Sequence, residues 1–262
     1  MASKRFHDAI SDFRRSEDYE NTDQDKPNAG IPDGLGQCNH ALKEHDQALS
    51  YYDKAIEMDP ENTEFMQHRA QCYYDLQQYD MSIKDLNKGL SISHDNPQVF
   101  YRLGLSYYAD ENYKLCVRTL KAALINKPFI SYEADIYYHI GLAYCNVEKF
   151  EKSIYPFSKC IEMIPSEIKY IHERAKAYQM IEDHEKAVDD FNMVIKKNPK
   201  NAHAHFRRAF SHKALKNYSQ AADDFEQAKA LAPLDPKMVV NYKKLKGVTC
   251  IVLCKPGEEP LF

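Results

Sequence analysis

The chain has 262 residues, 44% of them apolar and 28% charged, with a net charge of −4. That apolar share can build a core and excludes intrinsic disorder, and the near-balanced charge excludes a general affinity for nucleic acid or membrane. No apolar run approaches the ~20 residues that cross a bilayer, and the segment MASKRFHDAISDFRR lacks the apolar stretch of a secretory signal. Seven cysteines, at 38, 72, 116, 145, 160, 250 and 254, form no CxxC pair, so neither a disulfide framework nor a zinc site is suggested. Their odd number, and the small-residue positions of Cys116 and Cys160, fit a reducing, cytoplasmic compartment.

In chain order, FHDAISDFRRS at residues 6–16 predicts a helix, and Glu17 to Lys26 a polar loop. A period then sets in. Small residues stand at Gly36, Ala70, Gly104, Gly141, Ala175 and Ala209, with steps of 34, 34, 37, 34 and 34. Tyr52, Leu86, Leu120, Phe157, Phe191 and Phe225 run in step, as do Ala48, Ser82, Cys116, Ser153, Ala187 and Ala221. A period of this size marks stacked helix pairs, since one pair cannot bury its apolar face alone. In Thr63 to Asn96 the first helix covers roughly Glu64 to Leu76 and the second roughly Met81 to Ser91. The short linker makes them antiparallel neighbours.

Pro60, Pro128, Pro165, Pro199 and Pro233 close units. Asn96 before Pro97 reads as an N-cap followed by proline at the first helical position. The units run approximately over 29–62, 63–96, 97–130, 134–167, 168–201 and 202–235. In the first, Gly30, Pro32, Gly34 and Gly36 predict a first helix that starts late or frays. The step of 37 places three extra residues near Lys127 to Ser131. Residues 1–28 hold a half repeat, since Ala9 and Phe13 sit where Ala48 and Tyr52 sit in the next unit. It is either a cap or part of a longer array. Residues 236–262 hold a capping helix to about Lys246, the β-prone TCIVLC and the turn-rich KPGEEP, expected to pack as a tail.

These residues resemble the tetratricopeptide repeat family. Leu103-Gly104-Tyr107 with Cys116, Leu120, Ala123 and Pro128 follow its order, and Ile140-Gly141-Tyr144 with Ser153, Phe157, Cys160 and Pro165 do so again. The resemblance implies an all-α fold: a right-handed α-solenoid of stacked antiparallel helix pairs (the TPR superhelix), about six repeats plus terminal capping helices. It also implies a concave groove lined by first helices. Carried over, the groove candidates are Tyr74, Tyr101, Arg102, Tyr108, Tyr138, His139, Lys176, Phe206, Arg207 and Phe210. Gln67, Gln71, Arg102, Asp135 and His139 stand where a chaperone-tail carboxylate clamp needs Lys, Asn, Asn, Lys and Arg, so no such binding is expected.

Nothing in the chain reads as an enzyme: there is no phosphate-cradling glycine loop, HExxH or GxSxG. No cofactor and no metal is expected. His203 and His205 point apart on a helix, and His205 and His212 lack a third ligand. The acidic pairs Asp189-Asp190 and Asp223-Asp224 read as a solvated face. From Lys196 to Ala222 there are seven Lys or Arg and no Asp or Glu. Together these features predict a non-catalytic protein–protein interaction scaffold or adaptor that takes an acidic or apolar peptide or helix within a multi-subunit assembly. A structural role in a cytoskeletal, ciliary or axonemal microtubule assembly, with tubulin as partner, is the alternative. RNA binding is a weaker one, against which the net charge argues.

Overall fold

The computed structural model describes residues 2–20, 28–126 and 130–232. The helix expected after Pro236, the TCIVLC and KPGEEP segments and residues 127–129 lie outside them. Thirteen helices and no strand occur among the described residues: α1 (Ala2–Glu20), α2 (Gly30–Ala41), α3 (His45–Met58), α4 (Thr63–Asp75), α5 (Tyr79–Ile92), α6 (Pro97–Ala109), α7 (Tyr113–Ile125), α8 (Ile130–Asn146), α9 (Phe150–Met163), α10 (Ile168–Met180), α11 (His184–Lys197), α12 (Ala202–Ala214) and α13 (Tyr218–Leu231). They form two compact units, Met1–His139 and Ile140–Phe262. In the first, α2 pairs with α3, α4 with α5 and α6 with α7, while α2, α4 and α6 also touch in a row. In the second, α10 pairs with α11 and α12 with α13, and α10 touches α12. Within each unit the pairs stack as in an α-solenoid.

Local chemistry sets the helix ends. Asn62, Asn96 and Asn201 accept hydrogen bonds from backbone N–H groups of the first turns of α4, α6 and α12, which satisfies donors that have no partner inside the helix. Each first helix of a pair stops in the same way. Lys43, Gln77, Glu111, Glu148, Glu182 and Lys216 all have φ between 56° and 65°. Around Glu111, its N–H bonds Tyr108 O at 3.1 Å and the N–H of Asn112 bonds Tyr107 O at 2.8 Å. This is the Schellman pattern, which usually carries glycine at the left-handed position. Glu111→Gly is therefore expected to raise stability by about 0.5–1 kcal/mol, read from urea denaturation. No gain would mean that the exposed Glu111 makes a compensating contact.

The first unit departs from the expectation of a late or frayed start. The helix α2 runs from Gly30 to Ala41. Pro32 lies in the first turn, where its missing N–H costs no helical bond. The glycines are sites of close approach. A Cβ at Gly34 would lie 2.5 Å from the Phe13 ring, and one at Gly36 would lie 2.6 Å from the Tyr52 ring. Burying two rings against bare backbone outweighs a helix-propensity loss of about 1 kcal/mol per glycine.

The repeats solve their packing in two ways. Leu35-Gly36, Leu103-Gly104 and Ile140-Gly141 put a buried aliphatic side chain and bare backbone against the partner helix. At the same register α4, α10 and α12 carry Arg69-Ala70, Arg174-Ala175 and Arg208-Ala209. Each of these arginines grips a carboxylate sixteen residues on with two nitrogens: Arg69 to Asp85 (2.7 and 2.7 Å), Arg174 to Asp190 (2.8 and 2.7 Å), Arg208 to Asp224 (2.7 and 2.5 Å). The three aspartates are buried. In the aliphatic repeats that place holds Tyr51, Thr119 and Pro156, so arginine and aspartate come and go together. This corrects the reading of the acidic pairs. Asp189 and Asp223 are exposed as expected, but Asp190 and Asp224 are core groups, because a bidentate guanidinium compensates their desolvation.

Candidate interaction surfaces

In the first unit the candidates project from α4, α6 and the first part of α8, and all are half-buried. Gln71 and Tyr74 of α4, with Arg102, Leu105 and Ser106 of α6, line a small cleft of about 60 Å³ open to solvent, with Ala70, Ser82 and Leu86 also in its wall. Arg102 Nη1 donates to Gln71 Oε1 at 2.5 Å. Tyr101 donates its hydroxyl proton to Asp135 Oδ2 at 2.6 Å, and its ring lies 5.0 Å from Tyr132. Burial first, then that hydrogen bond, keeps the Tyr101 phenol protonated far above its ordinary 10.0. Tyr108 meets His139 edge-on at 5.4 Å, and His139 meets Tyr138 at 5.6 Å. Two polar residues of α4 near these candidates are used within the fold. Buried Gln67 donates to Thr63 O in its own helix, and His68 Nδ1 lies 2.9 Å from Asp33, stitching α4 to α2.

In the second unit the candidates lie on α10 and α12. Phe206 and Phe210 meet edge to face at 5.0 Å, and both rest on buried Phe225. Arg207 has one acceptor, Gln179 Oε1 at 3.4 Å, while the Gln179 amide donates to Arg207 O and to Ser211 Oγ. Burial lowers the Arg207 pKa, and the nearby Glu173 charge opposes that. Lys176 Nζ donates to Glu173 Oε2 at 2.6 Å. Burial works against the Glu173 charge, but His172 and Lys176 outweigh it and hold the carboxyl below its ordinary 4.5. A depressed folded value means stability that is present above about pH 4.5 and is lost as pH falls through the folded value. Glu173→Gln is expected to flatten the acid limb of the melting temperature below about pH 4.5, in thermal melts taken across that range. An unchanged acid limb would refute this role for Glu173.

The chain thus holds two kinds of arginine. Arg69, Arg174 and Arg208 are neutralised by carboxylates in the core. Arg102 and Arg207 face the surface with only a glutamine amide in hydrogen-bond reach and no ion pair among the described residues. The sequence placed both groove arginines and, on the same concave face, Gln71 and Gln179, but not the pairing of each arginine with the glutamine on the preceding first helix of the same unit. Among the described residues no helix is long and apolar enough to cross a membrane.

Comparisons with known proteins agree with the fold. Family models described as tetratricopeptide repeat match residues 34–62, 51–84, 173–201 and 202–235, and one described as TPR repeat matches 70–110. No curated protein matches the chain. Among solved structures, YrrB, a TPR protein with an unusual peptide-binding site, is 18% identical with a TM-score of 0.66, covering 74% of this chain and 97% of that one. The C-terminal part of a TPR repeat-containing protein from Cytophaga hutchinsonii is 15% identical with a TM-score of 0.73, covering 90% and 93%. MamA from Desulfovibrio magneticus is 24% identical with a TM-score of 0.61, covering 68% and 97%. At these identities the likeness is one of fold.

Proposed function

The chain belongs to the tetratricopeptide repeat family, a protein-interaction scaffold, and from that premise we propose that it captures acidic segments of protein partners on the surfaces that carry Arg102 and Arg207. That these two arginines make no ion pair among the described residues carries the reading. A guanidinium that is half-buried and hydrogen-bonded only by an amide has lost water without a carboxylate in direct contact, and at Arg207 the nearby Glu173 charge offsets only part of that loss. A carboxylate of a partner supplies that charge as a short bidentate pair. The neighbouring apolar side chains supply anchors: Tyr74 and Leu105 in the first unit, Phe206 and Phe210 in the second. Tyrosine, phenylalanine and arginine of this kind concentrate the energy of peptide interfaces. In YrrB the same fold carries an unusual peptide-binding site, and that likeness supports a peptide ligand here. The three neutralised arginines have no such role, since their charge is already satisfied in the core.

The test compares affinity capture from source cells by wild type, Arg102→Glu, Arg207→Glu and the double variant. Charge reversal is expected to remove a shared set of partners, with binding of their acidic segments at least tenfold weaker by calorimetry. Capture of the same partners by the double variant would refute the proposal. Both sites are half-buried, so circular dichroism matching wild type is required of each variant before capture is compared. Reversal of Lys84 on α5 (Lys84→Glu), which is exposed, is the charge-matched control and should lose nothing.

A further inference from the structure

We propose that His40, His45 and Cys72 form a binding site for a zinc ion where the first repeat meets the second. His40 stands in the last turn of α2, His45 opens α3, and Cys72 lies on α4. One ligand atom from each lies within 4.8 Å of the other two. Cys72 Sγ is 3.6 Å from His45 Nδ1. In a tetrahedral site with Zn–S of about 2.3 Å and Zn–N of about 2.0–2.1 Å, sulfur and nitrogen stand roughly 3.6 Å apart. A fourth group is at hand: Asp75 Oδ2 lies 2.9 Å from His40 Nε2. A carboxylate there fits either the fourth position or the outer contact that orients a ligating imidazole.

Register gives the second reason. The places of His40 and His45 hold Tyr74 and Tyr79 in the next repeat and Tyr108 and Tyr113 in the one after. Those tyrosines pack as ring pairs at 5.5 and 5.6 Å, and His40 and His45 pack likewise at 5.4 Å. Packing alone therefore asks for two rings, not for imidazoles. One repeat further on, the places of Cys72 and Asp75 hold Ser106 and Ala109. Only between the first two repeats do all four places carry groups that bind metal. Two imidazoles and a thiolate suit zinc, and the set leaves room for an oxygen ligand. Burial holds the metal-free Cys72 thiol protonated, up to about 11, so zinc uptake must release its proton.

The experiment titrates the metal-free full chain with Co²⁺ and then displaces it with Zn²⁺. One equivalent is expected to bind, with a thiolate-to-cobalt charge-transfer band that zinc bleaches. Cys72→Ser should abolish the band, and His45→Gln should weaken binding at least a hundredfold. Asp75→Asn should weaken it tenfold to a hundredfold. Cys72→Ser is safe for the fold because Ser106 and Ser211 fill the same place in other repeats, and Cys145→Ser serves as the control that keeps the band. Absence of one-to-one binding, or a band that survives Cys72→Ser, would overturn the site.

Discussion

Asp190→Ala is expected to destabilise the second unit by about 3 kcal/mol in urea or thermal unfolding, although it removes one carboxylate from a chain with 39. Asp190 is 5% exposed and its partner Arg174 is 19% exposed. Removing the aspartate leaves a largely desolvated guanidinium with Ser158 Oγ, at 3.0 Å, as its remaining hydrogen-bond partner among the described residues, beside the Tyr178 ring. Breaking a buried pair costs about 3–5 kcal/mol, and the partial exposure of Arg174 sets the lower end. The other repeats show how to test this interpretation. Leu103 and Thr119 hold the equivalent places in the third repeat. The double variant Arg174→Leu, Asp190→Thr removes the stranded charge and is expected to recover most of the loss. A double variant no more stable than Asp190→Ala would mean that the aspartate acts by some other contact.

That pair also marks where the sequence was legible and where it was not. The fold could be read because each small residue at the 34-residue step has to admit a ring or a leucine from the partner helix, which couples two columns tightly. Arg174 and Asp190 lie sixteen apart on different helices. Read along its own helix, Asp190 is merely the neighbour of exposed Asp189. The covariation of Arg with Asp and of Leu or Ile with neither was the available signal. In α2 a count of glycines misled, because propensity is local while the rings that fill the space at Gly34 and Gly36 come from α1 and α3. The surface followed the same division. Register showed which side chains share a face, but not that Arg102 meets Gln71 across a separation of 31 residues. Nor did any contiguous spacing gather His40, His45 and Cys72, which come from three helices in two repeats.

Phe225→Ala is expected to be the most costly single truncation in the last repeat, at about 3–5 kcal/mol. Phe225 is 2% exposed and packs with Ala209 and Ala221. Phe206 and Phe210 stand edge-on against it at 5.5 and 5.2 Å. A repeat contacts only its neighbours, so the loss should appear as opening of α12 and α13 ahead of α10 and α11. Amide exchange resolves this, and unchanged protection in α12 and α13 would refute the packing role. Phe210 makes the contrast. It is 36% exposed, and Phe210→Ala is expected to cost less than Phe225→Ala, about 1–2 kcal/mol, since part of its surface stays in water on folding. Its effect should fall on partner capture, because an exposed ring held rigidly by a core ring is an anchor with little entropy left to lose. If Phe225→Ala abolishes capture while Phe210→Ala preserves it, the aromatic face of α12 is a product of packing. Loss of capture in both, with protection of α12 and α13 intact in Phe210→Ala, would assign the anchor to Phe210 itself.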